Sequence, residues 1–320
     1  MPFDLSPRSL LPPPRPPFRW WLPLPYLTML TFALRWSTLA TGRPGALGVV
    51  TVALGGWLLG LCAYRSSKSH YSAWWGGIVY CFVCSVSERF GHQALGELTA
   101  NCCCIAAWLV AVAPREYGQT YRQEEPLAVR LRHWSVAGLL LGVATVVRPL
   151  AATALLAVAG QAYHYYRRRR QQPREGRQAV GYLLAAGGGV VAVGLASSSF
   201  ATGSVGFGDW GQQALLLGRY LLYFSPPLLF SFLLLFGNIL TKGTYHFNPL
   251  LRYQVQALVL AILLFGGGRA DTLVLLHPAL ALQCTDWLMA KGGPTDSSKH
   301  SLALLWVLAA GTVVGCLYGV

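Results

Sequence analysis

Charge is scarce in this chain. Only 11% of its 320 residues are Asp, Glu, Lys or Arg, against roughly a quarter in soluble proteins. Acids are rarest of all, with 11 Asp and Glu beside 25 Lys and Arg. A chain with so few charges, 54% hydrophobic residues and a mean hydropathy of +0.45 has no surface suited to water. That excludes a soluble enzyme, a disordered segment and a secreted disulfide scaffold. Nucleotide fingerprints are missing too. Gly203, Gly206 and Gly208 cluster in SSSFATGSVGFGDWGQQ, but no strand precedes them, and the fingerprint needs one.

The eight cysteines supply no framework. Cys81 and Cys84 form a CxxC inside an apolar run, and Cys102, Cys103 and Cys104 are consecutive inside another. Adjacent helical residues point in different directions, so three in a row cannot close a tetrahedral metal site. They read as small apolar core residues. No metal motif is present. The cofactor is unknown, and the sequence leaves a divalent cation open.

What remains is a set of apolar runs. They fall near 23–41, 45–64, 71–86, 96–113, 134–147, 149–166, 179–198, 213–240, 254–268, 272–290 and 301–319. At about 20 residues per helical span, the expected fold is all-α, a polytopic transmembrane bundle of about eleven spans. Pro226-Pro227 is expected to divide the long 213–240 run into an interfacial and a membrane helix. Residues 1–22 form a proline-rich basic arm, and 167–178 a basic cytoplasmic loop. The membrane core is placed at 23–166, with further transmembrane helices over 179–320.

Charge asymmetry orients the bundle. Nineteen of the 25 Lys and Arg fall in the arm and in alternate connections, six of them between Arg167 and Arg177. Four lie on the other side (Arg43, Arg89, Arg148 and Arg269), and Arg35 and Arg219 lie within runs. Basic residues favour cytoplasmic loops, so the N-terminus is expected inside. The same rule assigns the net charge of +14 to membrane sidedness, and no nucleic-acid partner is expected. Trp74, Trp75, Trp134, Trp210 and the stretch Tyr163 to Tyr166 stand near run ends, where aromatic belts form.

Ionisable groups at membrane depth are costly and therefore candidate functional residues. The outer side carries Glu88, Arg89, His92 and Glu97 in one stretch, then Arg148, Asp209, Arg269 and Asp271. Helical spacing would align Arg89, His92, Gln93, Gly96 and Glu97. Such a cluster could act as a base, hold a metal or grip phosphate, or it could be an interfacial turn with solvated charges. In VATVVRPLAATALL, proline ends one helix and leaves Arg148 beside the start of the next. A guanidinium fork and free backbone N–H groups can bind phosphate there. An arginine snorkelling to lipid headgroups has the same sequence.

In order along the chain, several segments resemble the GT-C superfamily of membrane glycosyltransferases that use polyprenyl-phosphate sugars. PLPYLTMLTFALRW is similar to the proline-led helix after those enzymes' first external loop. RPGALGVVTVALGGWLLGLCAYR looks like the helix after it. RFGHQALGELTANCCCIAAWLVAV resembles the external turn whose acidic residue opens a helix, which matches Glu97. WSVAGLLLGVATVVRPLAATALL looks like the segment ending in a basic residue and proline, and RPLAA is near the RPTAA of the dolichol-phosphate-mannose branch. TLVLLHPALALQCTDWL weakly resembles a late proline-rich helix.

The resemblance implies inverting sugar transfer on the outer or lumenal face. Glu97 would be the acidic site residue with Asp209 second. Arg89, Arg148 and Arg269 would contact phosphate, and His92 would orient Glu97. The implied partners are membrane lipids and a polyprenyl-phosphate sugar donor. The expected location is an integral membrane, a bacterial plasma membrane in preference to the endoplasmic reticulum. Family members carry the catalytic aspartate on a loop behind an N-terminal span. The matching region here begins at Pro23 behind an arm holding only Asp4, so an incomplete catalytic apparatus is expected. A lipid or solute transporter and a non-catalytic accessory subunit are the alternatives, since Gly- and Pro-interrupted runs also suit broken transporter helices.

Overall fold

The computed structural model describes residues 19–36, 45–67, 70–86, 95–111, 127–155, 184, 187–191, 210–220, 248–265 and 270–290. All regular structure among them is helical. The α-helices are α1 Pro23–Leu34, α2 Gly45–Ser67, α3 His70–Val86, α4 Leu95–Ala111, α5 Leu127–Val147, α6 Trp210–Arg219, α7 Asn248–Phe265 and α8 His277–Ala290. Two 3₁₀ segments, Pro149–Ala152 and Ala270–Leu276, lie between them.

The expected all-α class is what the described residues show, and they carry the span count only in part. One helix, in the window Gly45–Arg65, is long and apolar enough to cross a membrane. At 1.5 Å per residue, the 23 residues of α2 reach about 34 Å, whereas the 12 of α1 reach about 18 Å. The run at 272–290 is not a single helix either. It is divided into Ala270–Leu276 and α8, with Pro278 in the first turn of α8. Proline disfavours α conformation in the residue before it and is tolerated at a helix start, so HPAL begins a helix and cannot continue one. The arm, the basic loop and the last run fall outside the described residues, apart from Arg19 to Leu22.

Small residues hold the centre together. On α2, Gly56 and Gly60 are four apart and face Gly77 and Ala73 of α3. A Cβ added at Gly60 would lie 2.4 Å from the Ala73 carbonyl oxygen, and one at Gly56 would lie 2.5 Å from Cys81 Sγ. The helices therefore meet backbone to backbone, the small-xxx-small packing that membrane helices use. Gly189, in the short helical stretch 187–191, approaches Gly138 of α5 in the same way. Six of the eight cysteines are buried (62, 81, 84, 102, 104 and 284), while Cys103 is half-buried.

Six threonine hydroxyls within these helices are satisfied locally. Thr28, Thr31, Thr51, Thr99, Thr145 and Thr285 each donate to the carbonyl four residues earlier, at 2.7 to 2.9 Å. A hydroxyl bonded to its own helix asks nothing of its surroundings.

The outward faces are apolar as well. Tyr26, Met29, Phe32 and Trp36 of the α1 region are exposed, as are Leu47, Val50 and Leu54 of α2 and Val136, Leu139 and Val143 of α5. These recur every three or four residues, so each helix turns one apolar face inward and another outward. A helix hydrophobic all round is a core helix or a membrane helix.

The contacts fix which helix ends lie together. Arg35 at the end of α1 reaches the start of α2 at Gly48 and the end of α3 at Cys84. The start of α4, the end of α5 and the start of Ala270–Leu276 meet through Glu97, Arg148 and Asp271. Trp20, just before α1, pairs with Trp57 midway along α2, and at the opposite end Tyr64 pairs with His70 and Arg65 with Leu109. Helices α1 to α5 thus alternate up and down.

Candidate functional site

Glu97 and Arg148 meet at one end of the bundle. Helix α5 stops at Val147 because Arg148 precedes a proline and takes an extended conformation, φ −145° and ψ 112°. The α region is disfavoured at that position. The chain restarts as Pro149–Ala152, and this break swings the Arg148 side chain across the first turn of α4. Its Nε lies 2.6 Å from Glu97 Oε1. The N–H does not point along that contact, so the pair is held by charge more than by an aligned hydrogen bond. Gly96 makes the approach possible: a Cβ there would come 2.7 Å from Arg148 Nε and 2.9 Å from Nη2.

The two partners differ in exposure. Glu97 is 1% exposed, whereas 34% of the Arg148 side-chain surface is open. Glu97 Oε2 is buried without a hydrogen-bond partner among the described residues. Asp271 lies close enough to act on Glu97 as a like charge. The 3₁₀ segment carrying Asp271 is pinned to α4 by Asn101 Nδ2, which donates to the Val274 carbonyl at 2.8 Å. It is tied to α6 by Gln213 Nε2 and Thr272 Oγ1 at 3.4 Å.

Two other arginines show what a structural cation does in this fold. Arg35, 1% exposed, donates from Nη2 to the Cys84 carbonyl at 2.8 Å. Cys84 is among the last four residues of α3, whose carbonyls lack helical partners. Arg65, at the opposite end, donates to the Leu109 carbonyl in the last turn of α4. Each places positive charge at the negative end of a neighbouring helix, where the dipole welcomes it. Arg148 does the reverse. It lies against the first turn of α4, the positive end, and is balanced there by Glu97. A position unfavourable for a cation alone suits an anion bound between guanidinium and helix start.

A second polar cluster lies deeper. His277 is fully buried at the start of α8. Its Nδ1 is 3.2 Å from Cys84 Sγ, and its ring stacks on Tyr220 with centroids 5.7 Å apart and planes 12° from parallel. Sequence reasoning passed over His277 and treated Arg35 as an arginine within a span. The signal that could have found His277 is the HP dipeptide, which marks a helix start inside an apolar run. Among the described residues no group of three His, Cys, Asp or Glu is arranged to hold a metal ion.

Of the candidates read from the sequence, Glu97 and Arg148 are brought together, and Asp271 joins them. Arg89, His92, Asp209 and Arg269 lie outside the described residues, as does Glu88. No protein-family model, no curated protein and no solved structure matches this chain.

Proposed function

We propose that this chain is an integral membrane protein with a GT-C-like core, and that it binds the phosphate of a polyprenyl-phosphate sugar at Arg148. The observation that carries the reading is the placement of Arg148. It is a cation with a partly open side chain at the positive end of α4, while Arg35 and Arg65 sit at negative helix ends. The outward apolar stripes of α1, α2 and α5 and the glycine-mediated packing of α2 on α3 support the membrane setting. In that setting the Glu97 end faces the outer or lumenal side.

Within this reading Arg148 is the phosphate contact. Glu97, buried and ion-paired, is the residue that positions it. A carboxylate that activates an acceptor hydroxyl has to reach the acceptor, and Glu97 in this arrangement does not. That burial favours a second reading, a non-catalytic relative of the same fold that holds the lipid headgroup without transferring the sugar.

The test is labelling in detergent or nanodiscs by a photoreactive isoprenyl phosphodiester. Arg148→Ala should reduce labelling at least tenfold while the protein stays folded, and Arg148→Lys should recover only part of it, because a point charge does not reproduce the fork. Equal labelling of wild type and Arg148→Ala would sink the phosphate role. Sugar release or transfer from a polyprenyl-phosphate sugar then separates a transferase from a binding protein.

A further inference from the structure

The Glu97–Arg148 pair has one partner facing outward and one locked inside. An anion approaching from outside can reach only Arg148, and in taking the guanidinium it competes with Glu97. Glu97 cannot follow into water, because its side chain is buried in the first turn of α4. Nor does a second cation act on it among the described residues. Among the described residues the charged groups acting on it are Arg148, from the α5 junction, and Asp271, from the Ala270–Leu276 segment. Oε2 has no hydrogen-bond partner among those residues. A buried carboxylate that loses its cation and retains a like charge beside it is held most easily in its neutral form.

Resting on the anion-site reading above, we infer that this site binds a phosphodiester headgroup and a proton together. The phosphate takes Arg148, and Glu97 takes up one proton from solvent. The site then holds arginine with phosphate and a neutral Glu97 beside Asp271. Its net charge is what it was before the two ligands arrived, since one negative and one positive charge enter. Release runs in reverse: as the headgroup leaves, Glu97 gives up the proton and recloses on Arg148. Asp271 sharpens the exchange by disfavouring an ionised Glu97 without its partner.

The experiment uses the full chain in nanodiscs and two anions that do not titrate between about pH 5 and 8, a farnesyl methyl phosphodiester and inorganic sulfate. Calorimetry in two buffers of different ionisation heat reads the protons taken up. Wild type should take up close to one proton per diester bound, with affinity rising about tenfold per unit fall in pH where uptake is complete. Glu97→Gln should bind with no uptake and no pH slope, and more tightly than wild type near neutrality because nothing competes for Arg148. If Glu97→Gln does not fold, Asp271→Asn carries the test, with uptake at a given pH lower than in wild type. Binding by both anions would assign the site to free anions, and binding by the diester alone to a lipid headgroup; either is consistent with the coupling if a proton follows. Diester binding with a flat pH profile and no uptake would overturn the coupling while leaving the anion site standing. No binding of either anion would overturn both.

Discussion

Arg35 and Arg148 lie at the same end of one bundle and do opposite things. Arg35 is sealed from solvent, donates to a carbonyl in the last turn of α3 and is matched to that helix's dipole. Arg148 is partly open, lies against the first turn of α4 and needs a carboxylate to stay there. Burial and ionisability do not distinguish the two as a functional and a structural residue. By burial alone Arg35 would be the stronger candidate, since a fully buried cation is costly. What separates them is which end of a neighbouring helix they touch. A cation at a helix C-terminus completes the structure, whereas a cation at an N-terminus leaves room for an anion.

The largest effect that could break this comparison is expected at Arg35. Arg35→Leu strips the capping donor from α3 and leaves the Cys84 carbonyl without it, and should cost about 2–4 kcal/mol. Unfolding in denaturant measures it. The loss should be the same at pH 5.5 and pH 8, because the bond that Arg35 donates to the Cys84 carbonyl does not titrate in that range. A variant as stable as wild type would show that Arg35 is not a structural cap.

Next comes a position that touches neither arginine. Gly60→Ala places a methyl 2.4 Å from the Ala73 carbonyl oxygen, which forces α2 and α3 apart and should cost about 1–3 kcal/mol. Phosphodiester binding by the folded fraction should be unchanged. If Gly60→Ala abolished binding as thoroughly as Arg148→Ala, loss of binding would no longer point to Arg148 in particular.

Arg148→Ala should destabilise less, by about 1–2 kcal/mol at pH 8, because its side chain is a third exposed and water screens the pair. Here the sign of the pH effect matters. The variant leaves Glu97 buried without its cation, so the penalty is greatest where Glu97 is ionised and shrinks as pH falls and the carboxyl takes a proton. Thermal melts at pH 5.5 and pH 8 read the difference. A penalty that grew on acidification would contradict the pairing. Adding Glu97→Gln should remove most of the loss at pH 8.

The smallest expected effect is at Arg65. Its cap on α4 is half-buried rather than sealed, so Arg65→Gln should cost about 0.5–1 kcal/mol. Because Arg65 lies at the far end, binding at Arg148 should not respond.

The helical class was legible in the chain because it depends on composition and run length, which are local properties. The break at Arg148-Pro149 was legible for the same reason: proline acts on the residue beside it. The positions of the apolar runs were also close, since α1 to α4 and α7 begin within seven residues of the expected starts. Helix lengths were not. Hydropathy averages over a window and cannot register the change from 3₁₀ to α at His277.

The site divides along the same line. The sequence by itself determined that Glu97 opens a helix and that Arg148 is stranded between two helices. Only the tertiary structure decided that these residues, 51 positions apart, touch through the space left by Gly96. It also decided that Asp271 stands behind them, and that Arg35 and His277 are internal. A charge's meaning here depends on which end of which neighbouring helix it meets. Helix dipoles act within about one turn of a helix end, so nothing short of the packed arrangement specifies them.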